Sequence, residues 1–267
     1  MEQVVTKAFA NQLEQSELSL LTSRLEAIEN LPDNPMGVEI QDFGKARAFS
    51  VKGIPGPSYN TVKGITGDDV GYIEQILAFY KKRDIPARFE ITPATSTPEL
   101  FQQLQRQGFY QHNFHTTLYG SINELHTGLH ASVSIRKLKK DEFPIFADIY
   151  VRGFSMPDFL KEFVAQNNEV LYENPSWHFY VAQVEGEPVG IGVLHMKDHI
   201  GTLAASATVP EFRNRGVHNA LVNYRIEQVK QVSCDVIVGQ AAFGSTSQLN
   251  MQKAGMKIAY TKALWVK

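Results

Sequence analysis

A shift of 147 residues lays one part of this chain on another without a gap. It carries Gly108 to Gly255, Thr61 to Thr208, Val62 to Val209, Val70 to Val217, Ala94 to Ala241 and Gln105 to Gln252. The order of patterns that recurs at this spacing says more than the identities do. In each copy a strand-like run leads through a loop into a helical stretch. A strand, a second helix ended by a glycine and a closing strand follow. The chain reads as two copies of one α/β unit, over residues 1–125 and 131–267.

In the first copy, residues 3–31 read as a long amphipathic helix or helix pair. Ser16 is its expected cap, and Leu18, Leu21, Leu25 and Ile28 form its apolar stripe. Alternating runs at 38–43, 46–51 and 59–63, separated by Gly/Pro clusters, read as a meander of strands. Helical spacing over 70–82, a strand at 88–92, a helix at 98–107 and one or two strands at 109–119 complete the copy. The second copy opens with a strand at 133–138 and helices at 140–154 and 158–167. A hairpin turns at Glu185-Gly186-Glu187-Pro188. A run of small and β-branched residues at 203–209, a helix to about 231, a strand at 235–239, a helix at 245–254 and two closing strands follow.

The copies differ where the strand passes through the loop into the helix. The second has Arg213-Asn214-Arg215-Gly216, and the first has Thr66-Gly67-Asp68-Asp69. A helix start presents free backbone N–H groups and the positive end of the helix dipole, and both favour an anion, above all a phosphate. Arg213 and Arg215 add charge and planar donor pairs there. Two carboxylates at the same place in the first copy satisfy the dipole themselves and repel a diphosphate. The second copy is therefore the expected anion binder.

The spacing is neither Gly-x-Gly-x-x-Gly nor a loop ending in Gly-Lys-Ser/Thr. It resembles the Arg/Gln-x-x-Gly-x-Gly/Ala loop of the GCN5-related N-acetyltransferases, with Arg213, Gly216 and His218 at the marked positions. His218 departs from the small residue of that pattern. The segment from 235 to Met256, with Gly255 before Met256, is similar to the family's closing strand, helix and glycine. The resemblance implies two tandem acyl-CoA N-acyltransferase-like domains, each a mixed, mostly antiparallel sheet flanked by helices, with a degenerate first half. It implies acetyl-CoA as cosubstrate and a primary amine of a small molecule or peptide as acceptor, attacked directly. By the same resemblance Ala207, Thr208 and Val209 border the pantetheine and thioester, and Arg213, Asn214, Arg215, Gly216, Val217, His218 and Asn219 hold the pyrophosphate. Ser245 and Asn250 face the pantetheine arm or the adenosine phosphates, although Ser245 also suits a helix cap. Many relatives carry a tyrosine four residues before the final glycine, and here that residue is Met251.

An amine that arrives as ammonium needs a base, and His195, on the strand beside the expected cleft, is the candidate. A lone histidine on a strand is more often a structural residue. The absent tyrosine and carboxylate base keep a second reading open, a coenzyme A-binding sensor or scaffold without turnover. A nucleotide-binding module that holds another diphosphate is a third.

Composition bounds the remainder. The 267 residues are 43% hydrophobic and 20% charged, with a net charge of −2, which gives no basic excess for nucleic acid. No apolar run is long enough to span a membrane, and 1–15 lacks the apolar core of a signal peptide, so a cytoplasmic protein is expected. One cysteine, Cys234, rules out an internal disulfide, and the eight scattered histidines have no metal-ligand spacing. The near-neutral charge selects no acceptor, and a homodimer is left open.

Overall fold

The computed structural model describes residues 4–54, 56–125, 127–128, 132–232 and 234–267. In chain order these form α1 (Lys7–Glu29), β1 (Val38–Phe43), β2 (Ala46–Val51), β3 (Thr61–Lys63), α2 (Ile73–Arg83), β4 (Phe89–Ile91), α3 (Pro98–Arg106) and β5 (Tyr110–Ser121). Then come β6 (Ser134–Lys137), α4 (Phe143–Gly153), α5 (Lys161–Glu169), β7 (Trp177–Val184), β8 (Glu187–Lys197) and β9 (Ile200–Thr208). The chain ends with α6 (Val217–Lys230), β10 (Val236–Ala242), α7 (Thr246–Lys253) and β11 (Lys257–Val266). Among the described residues no helix is long and apolar enough to cross a membrane.

The repeat is visible in these bounds. The ends of α2 and α6, Arg83 and Lys230, stand 147 residues apart, as do the first residues of β4 and β10 and of β5 and β11. Gly108 and Gly255, the residues that stop the second helix of each copy, are both left-handed, with φ of 83° and 91°. The fold is mixed α/β, with mostly antiparallel sheets flanked by helices.

Two compact units are present, Met1–Thr117 with Ala259–Lys267, and Leu118–Ile258. In the first, the strand order is β1-β2-β3-β4-β11. β1, β2 and β3 form an antiparallel meander, β3 meets β4 in parallel at Val62 and Phe89, and β11 runs antiparallel to β4. The last strand of the sequence therefore completes the first unit's sheet, a placement that differs from a simple division at 125/131. Phe43, Ala46, Val62, Ile73, Ile76, Phe79, Tyr80 and Phe89 form the apolar core shared by the sheet and α2.

α1 brings charge to the same unit. It is one helix, capped by Thr6, whose hydroxyl accepts from the Phe9 amide at 3.2 Å. Ser16, the expected cap, lies inside it and donates to the Leu13 carbonyl. Leu18, Leu21, Leu25 and Ile28 are buried as the stripe predicts, but so are Glu14 and Glu17. Glu17 pairs with Lys63 at 2.7 Å and with Lys262, and Glu90 lies 2.5 Å from Lys63 and 3.2 Å from Lys262. Just past the single β3–β4 partner pair, the two strands are thus stitched by buried ion pairs. Burial alone raises the Glu17 carboxyl, but Lys262 and Lys63 more than offset it and hold Glu17 at about 2. Burial pushes the Glu14 carboxyl up, with Lys262 opposing.

The second unit has the order β6-β7-β8-β9-β10, with the Leu118–Ser121 end of β5 beside β10. β6 to β9 are antiparallel neighbours, and β9 meets β10 in parallel. This is the first unit's pattern again, an antiparallel meander followed by a parallel step. Leu118, Ile122, Leu194, Leu203, Val222, Ile226, Ile237 and Met251 fill the core on the α6 and α7 side.

Candidate functional site

The parallel step of the second unit is where its sheet opens. β9 and β10 pair from Ile200 with Val236 to Leu203 with Gly239. Past that point the ladder between them ends, although β9 runs on to Thr208 and β10 to Ala242. The free stretch of β9 is held from its other side by β8, and there the register slips. Gly192 pairs with Ser206 but Leu194 pairs with Leu203, so Ala204 and Ala205 together oppose Val193. Such a bulge bends the strand and leaves ladder groups without their usual partners.

A side chain that the sequence reading did not single out fills that deficit. Arg225 on α6 is buried, and its Nη1 donates to the Val193 carbonyl at 3.0 Å and to the Ala205 carbonyl at 3.2 Å. Its Nε donates to Leu221 O at 2.9 Å. Burial pulls the guanidinium down to about 10, so it stays charged at neutral pH. The signal was in the sequence, since Arg225 stands midway in the series Val217, Leu221, Arg225, Val229, four residues apart on one helix face. Room for it comes from Gly192, where a Cβ would sit 3.2 Å from the Arg225 Nε.

β9 ends at Thr208, and Val209 donates its N–H to the Val189 carbonyl at 3.0 Å. Successive N–H groups of a strand point to opposite edges, so Thr208 turns its own toward the side from which β10 has parted. Thr208 Oγ1 is buried and has no hydrogen-bond partner among the described residues. A 3₁₀ turn, Pro210–Phe212, then leads to the loop. Asn214 and Gly216 are both left-handed, with φ of 63° and 78°, and Gly216 is the N-cap of α6. No side chain caps this helix and no acidic residue stands in its first turn. A helix start without a side-chain cap suits an external acceptor.

Around that helix start the structure gathers most of the residues that the sequence singled out. Arg213 donates to the Gly153 carbonyl at 2.8 Å, which ties the loop to the end of α4. Arg215 is exposed, with its guanidinium carbon 4.9 Å from the Phe212 ring centre. Val217 is buried beneath. Asn219 accepts from Asn223 at 3.2 Å. His218 Nδ1 lies 3.1 Å from Asn250 Nδ2, so these two expected site residues meet. Burial, and then the Arg225 charge, lower His218 to about 4, which leaves it neutral at pH 7. With Nδ1 accepting from Asn250, the ring proton sits on Nε2, a donor.

Two expected residues stand elsewhere. Ser245 caps α7, its hydroxyl accepting from the Gln248 amide at 3.3 Å. His195 is 1% exposed, packs on Trp177 with ring centres 4.8 Å apart, and pairs with Trp177 and Thr202 in the sheet. The strand partner of Thr208 is Gly190, five residues up β8 from His195, a run of about 17 Å. The structure does not bring His195 to the loop. Met251 is buried in the core. Among the described residues no cluster of three or more His, Cys, Asp or Glu is placed to hold a metal ion.

The corresponding place in the first unit is closed. Thr66 and Asp69 form a reciprocal cap over the turn Gly67–Tyr72. The Asp69 carboxylate accepts from the Thr66 and Lys45 amides, both at 2.9 Å.

Residues 136–247, which contain the whole of this loop and the parting strands, match the model of the acetyltransferase (GNAT) family. No curated protein matches the sequence. Among solved structures, a GCN5-related N-acetyltransferase from Kribbella flavida is similar over 93% of this chain and 94% of its own, with a TM-score of 0.64 at 13% identity. A tandem GNAT protein from the clavulanic acid biosynthesis pathway is similar over 91% of this chain and 87% of its own, with a TM-score of 0.65 at 11% identity. A functionally unknown conserved protein from Staphylococcus epidermidis covers 91% and 98% respectively, with a TM-score of 0.63 at 14% identity. At these identities the likeness concerns the fold. The uncapped helix start, the parted parallel strands and the family match to the segment that holds them agree: residues 136–247 are a domain of the GCN5-related N-acetyltransferase family, in a chain that shares its fold with a tandem GNAT protein.

Proposed function

We propose that the second unit transfers an acetyl group from acetyl-CoA to a primary amine, and that the first unit does not bind the cofactor. The observation that carries the reading is the start of α6, where Gly216 turns the chain left-handed and no side chain among the described residues caps the helix. The diphosphate lies there, with Arg215 and the His218 Nε2–H as further donors. Arg213 holds the loop against α4. The pantetheine arm extends into the gap between β9 and β10 and takes the place of the missing ladder partner. The thioester carbonyl accepts from an amide on that edge of β9, for which Thr208 is best directed, and is polarised as in an oxyanion hole.

The acceptor nitrogen attacks the carbonyl carbon with its lone pair. The C–N bond forms, the C–S bond breaks, and the sulfur leaves as thiolate. The proton lost by the amine neutralises the thiolate or passes to solvent. In the first unit the helix start is occupied by Asp69 and the strand gap is stitched by Lys63, Glu90, Glu17 and Lys262, so neither half of the cofactor has a place.

The test is calorimetric titration with acetyl-CoA, CoA and ADP, followed by thiol release across a panel of amines. Acetyl-CoA binding with amine-dependent thiol release supports the reading. Binding without release on any amine favours a coenzyme A sensor, which Met251 in the tyrosine position would suit. ADP bound in preference to CoA favours a nucleotide module, and no binding of any of the three overturns the assignment of the loop.

A further inference from the structure

Three features outside the cofactor loop stand out. The buried ion pairs of the first unit join Glu17 and Glu90 to Lys63 and Lys262 and serve its packing. The exposed Phe154, Phe159 and Phe163 lie between the end of α4 and α5 with nothing to define what covers them. Arg225 differs from both, because it is a buried cation with no carboxylate partner among the described residues, placed where the sheet is irregular.

Burying a guanidinium without a counter-ion is costly, and such a group persists only when its hydrogen bonds hold something in place. All three bonds of Arg225 go to backbone carbonyls, and one nitrogen serves both strands at the bulge, Val193 on β8 and Ala205 on β9. In a regular ladder these carbonyls would take strand amides. The bulge displaces the register by one, and the guanidinium takes the amides' role. The position of Ala205 in turn fixes the course of Ser206 to Thr208, the edge that faces the gap. Two glycines of β8 let α6 come this close. A Cβ at Gly190 would meet the Val217 side chain at 2.7 Å, and one at Gly192 would meet Arg225.

We infer that Arg225 is a positioning residue for acetyl transfer: by bridging the Val193 and Ala205 carbonyls it holds the β9 bulge in the form that aims a backbone N–H at the thioester carbonyl. The inference rests on the function proposed above. It separates two properties of one cofactor, since the diphosphate is held at the start of α6 and the thioester on the strand edge. Loss of Arg225 should therefore spare binding and impair polarisation.

The experiment uses the full chain and acetyl-CoA labelled with 13C at the acetyl carbonyl. Bound to the wild-type protein, the carbonyl resonance should move downfield of its free position. In Arg225→Met, which removes all three bonds, and in Gly192→Ala, which keeps the arginine but displaces it, at least half of that shift should be lost. The dissociation constant should change less than threefold. Where an amine substrate is in hand, kcat should fall tenfold or more with little change in KM for acetyl-CoA. Arg225→Lys, which can still reach one or both strand carbonyls, should recover part of the shift. A full wild-type shift in Gly192→Ala or Arg225→Met, or a loss of binding equal to the loss of shift, would overturn the inference. If Arg225→Met does not fold, Gly192→Ala decides alone. If the wild-type protein binds no acetyl-CoA, the functional reading itself fails and this inference falls with it.

Discussion

Asp69 and Gly216 stand 147 residues apart at equivalent points of the two units, and they treat the start of the following helix in opposite ways. Asp69 turns its carboxylate back onto the Thr66 amide and hydroxyl and the Lys45 amide. Gly216 has no side chain to turn, and with φ of 78° it leads into α6 with no side-chain cap among the described residues. One helix start is completed by a side chain from within, and the other has no such cap.

Substitutions at the two loops should therefore differ sharply. Gly216→Asp places a carboxylate at the open amides and forces a side chain into a left-handed conformation, and Arg215→Glu reverses a charge beside them. Losing a charge-assisted hydrogen bond costs about 1.5–3 kcal/mol, so each should weaken CoA binding by about 10- to 100-fold. Asp68→Arg changes charge at the equivalent loop and should leave affinity within about twofold. Calorimetric titration of the three variants is the check, and equal losses would reverse the assignment of the working unit.

The repeat and the glycine turn before α6 were legible because each is built from short local patterns. A glycine after a helix and a breaker before a loop are features of a few consecutive residues. What was not legible depended on residues far apart. Glu17 reads as a polar position of α1 because its partner Lys262 lies 245 residues away, and no periodicity reports that pair. The bulge at Ala204 and Ala205 is a mismatch between two strands and leaves no mark in either alone. Arg225 sat in plain view on the buried face of α6, but an apolar stripe is read by its apolar members. Ser16 suits a helix cap by type, whereas Thr6 is the residue that stands where the helix begins. β11 follows α7 in sequence yet pairs with β4, because order along the chain does not dictate neighbours in a sheet.

The buried ion pairs make a prediction about stability. Lys262→Met leaves Glu17 with Lys63 alone and Glu90 with Lys63 and the more distant Arg88, and breaking a buried pair costs about 3–5 kcal/mol. Glu14 is different. Burial already favours its neutral form, and its Oε1 has no hydrogen-bond partner among the described residues. Glu14→Gln should stay within about 1 kcal/mol of wild type, since it supplies a neutral group of the same shape. Urea unfolding at pH 7 should place Lys262→Met far below both wild type and Glu14→Gln.

The same cluster gives an acid limb. Glu17 titrates near 2 in the folded protein against an ordinary value of 4.5, so the unfolded chain binds the proton first. Its stabilisation is fully present above 4.5 and is lost as pH falls from there through about 2. Melting temperature should drop over that window, and Glu17→Gln should be less stable at pH 7 with a shallower acid slope.

His218 has its own window. It titrates near 4 when folded against 6.5 when free, so the folded protein disfavours a proton that the unfolded chain accepts. The stabilisation from a neutral His218 is present above 6.5 and lost as pH falls toward 4. Imidazole resonances followed by NMR should show one histidine with a midpoint near 4, absent in His218→Gln. Constant CoA affinity for wild type between pH 8 and 6 would agree with a neutral donor, whereas affinity that rises through pH 6.5 would require an imidazolium.

Gly153 tests whether the end of α4 sets the edge of β9. A Cβ there would lie 2.7 Å from the Ala207 Cβ and 3.3 Å from both the nitrogen and the oxygen of Thr208. None of these atoms belongs to the end of a flexible side chain, so Gly153→Ala must push α4 away from the strand or tilt the strand itself. Overpacking of this kind costs about 1–3 kcal/mol. It should also disturb Arg213, which holds the Gly153 carbonyl, and so act on the loop and the strand edge together. The expected outcome is weaker acetyl-CoA binding combined with a smaller carbonyl shift, in contrast to the Arg225 variants, in which only the shift changes. A Gly153→Ala protein with wild-type stability and affinity would show that α4 can move aside without consequence for the site.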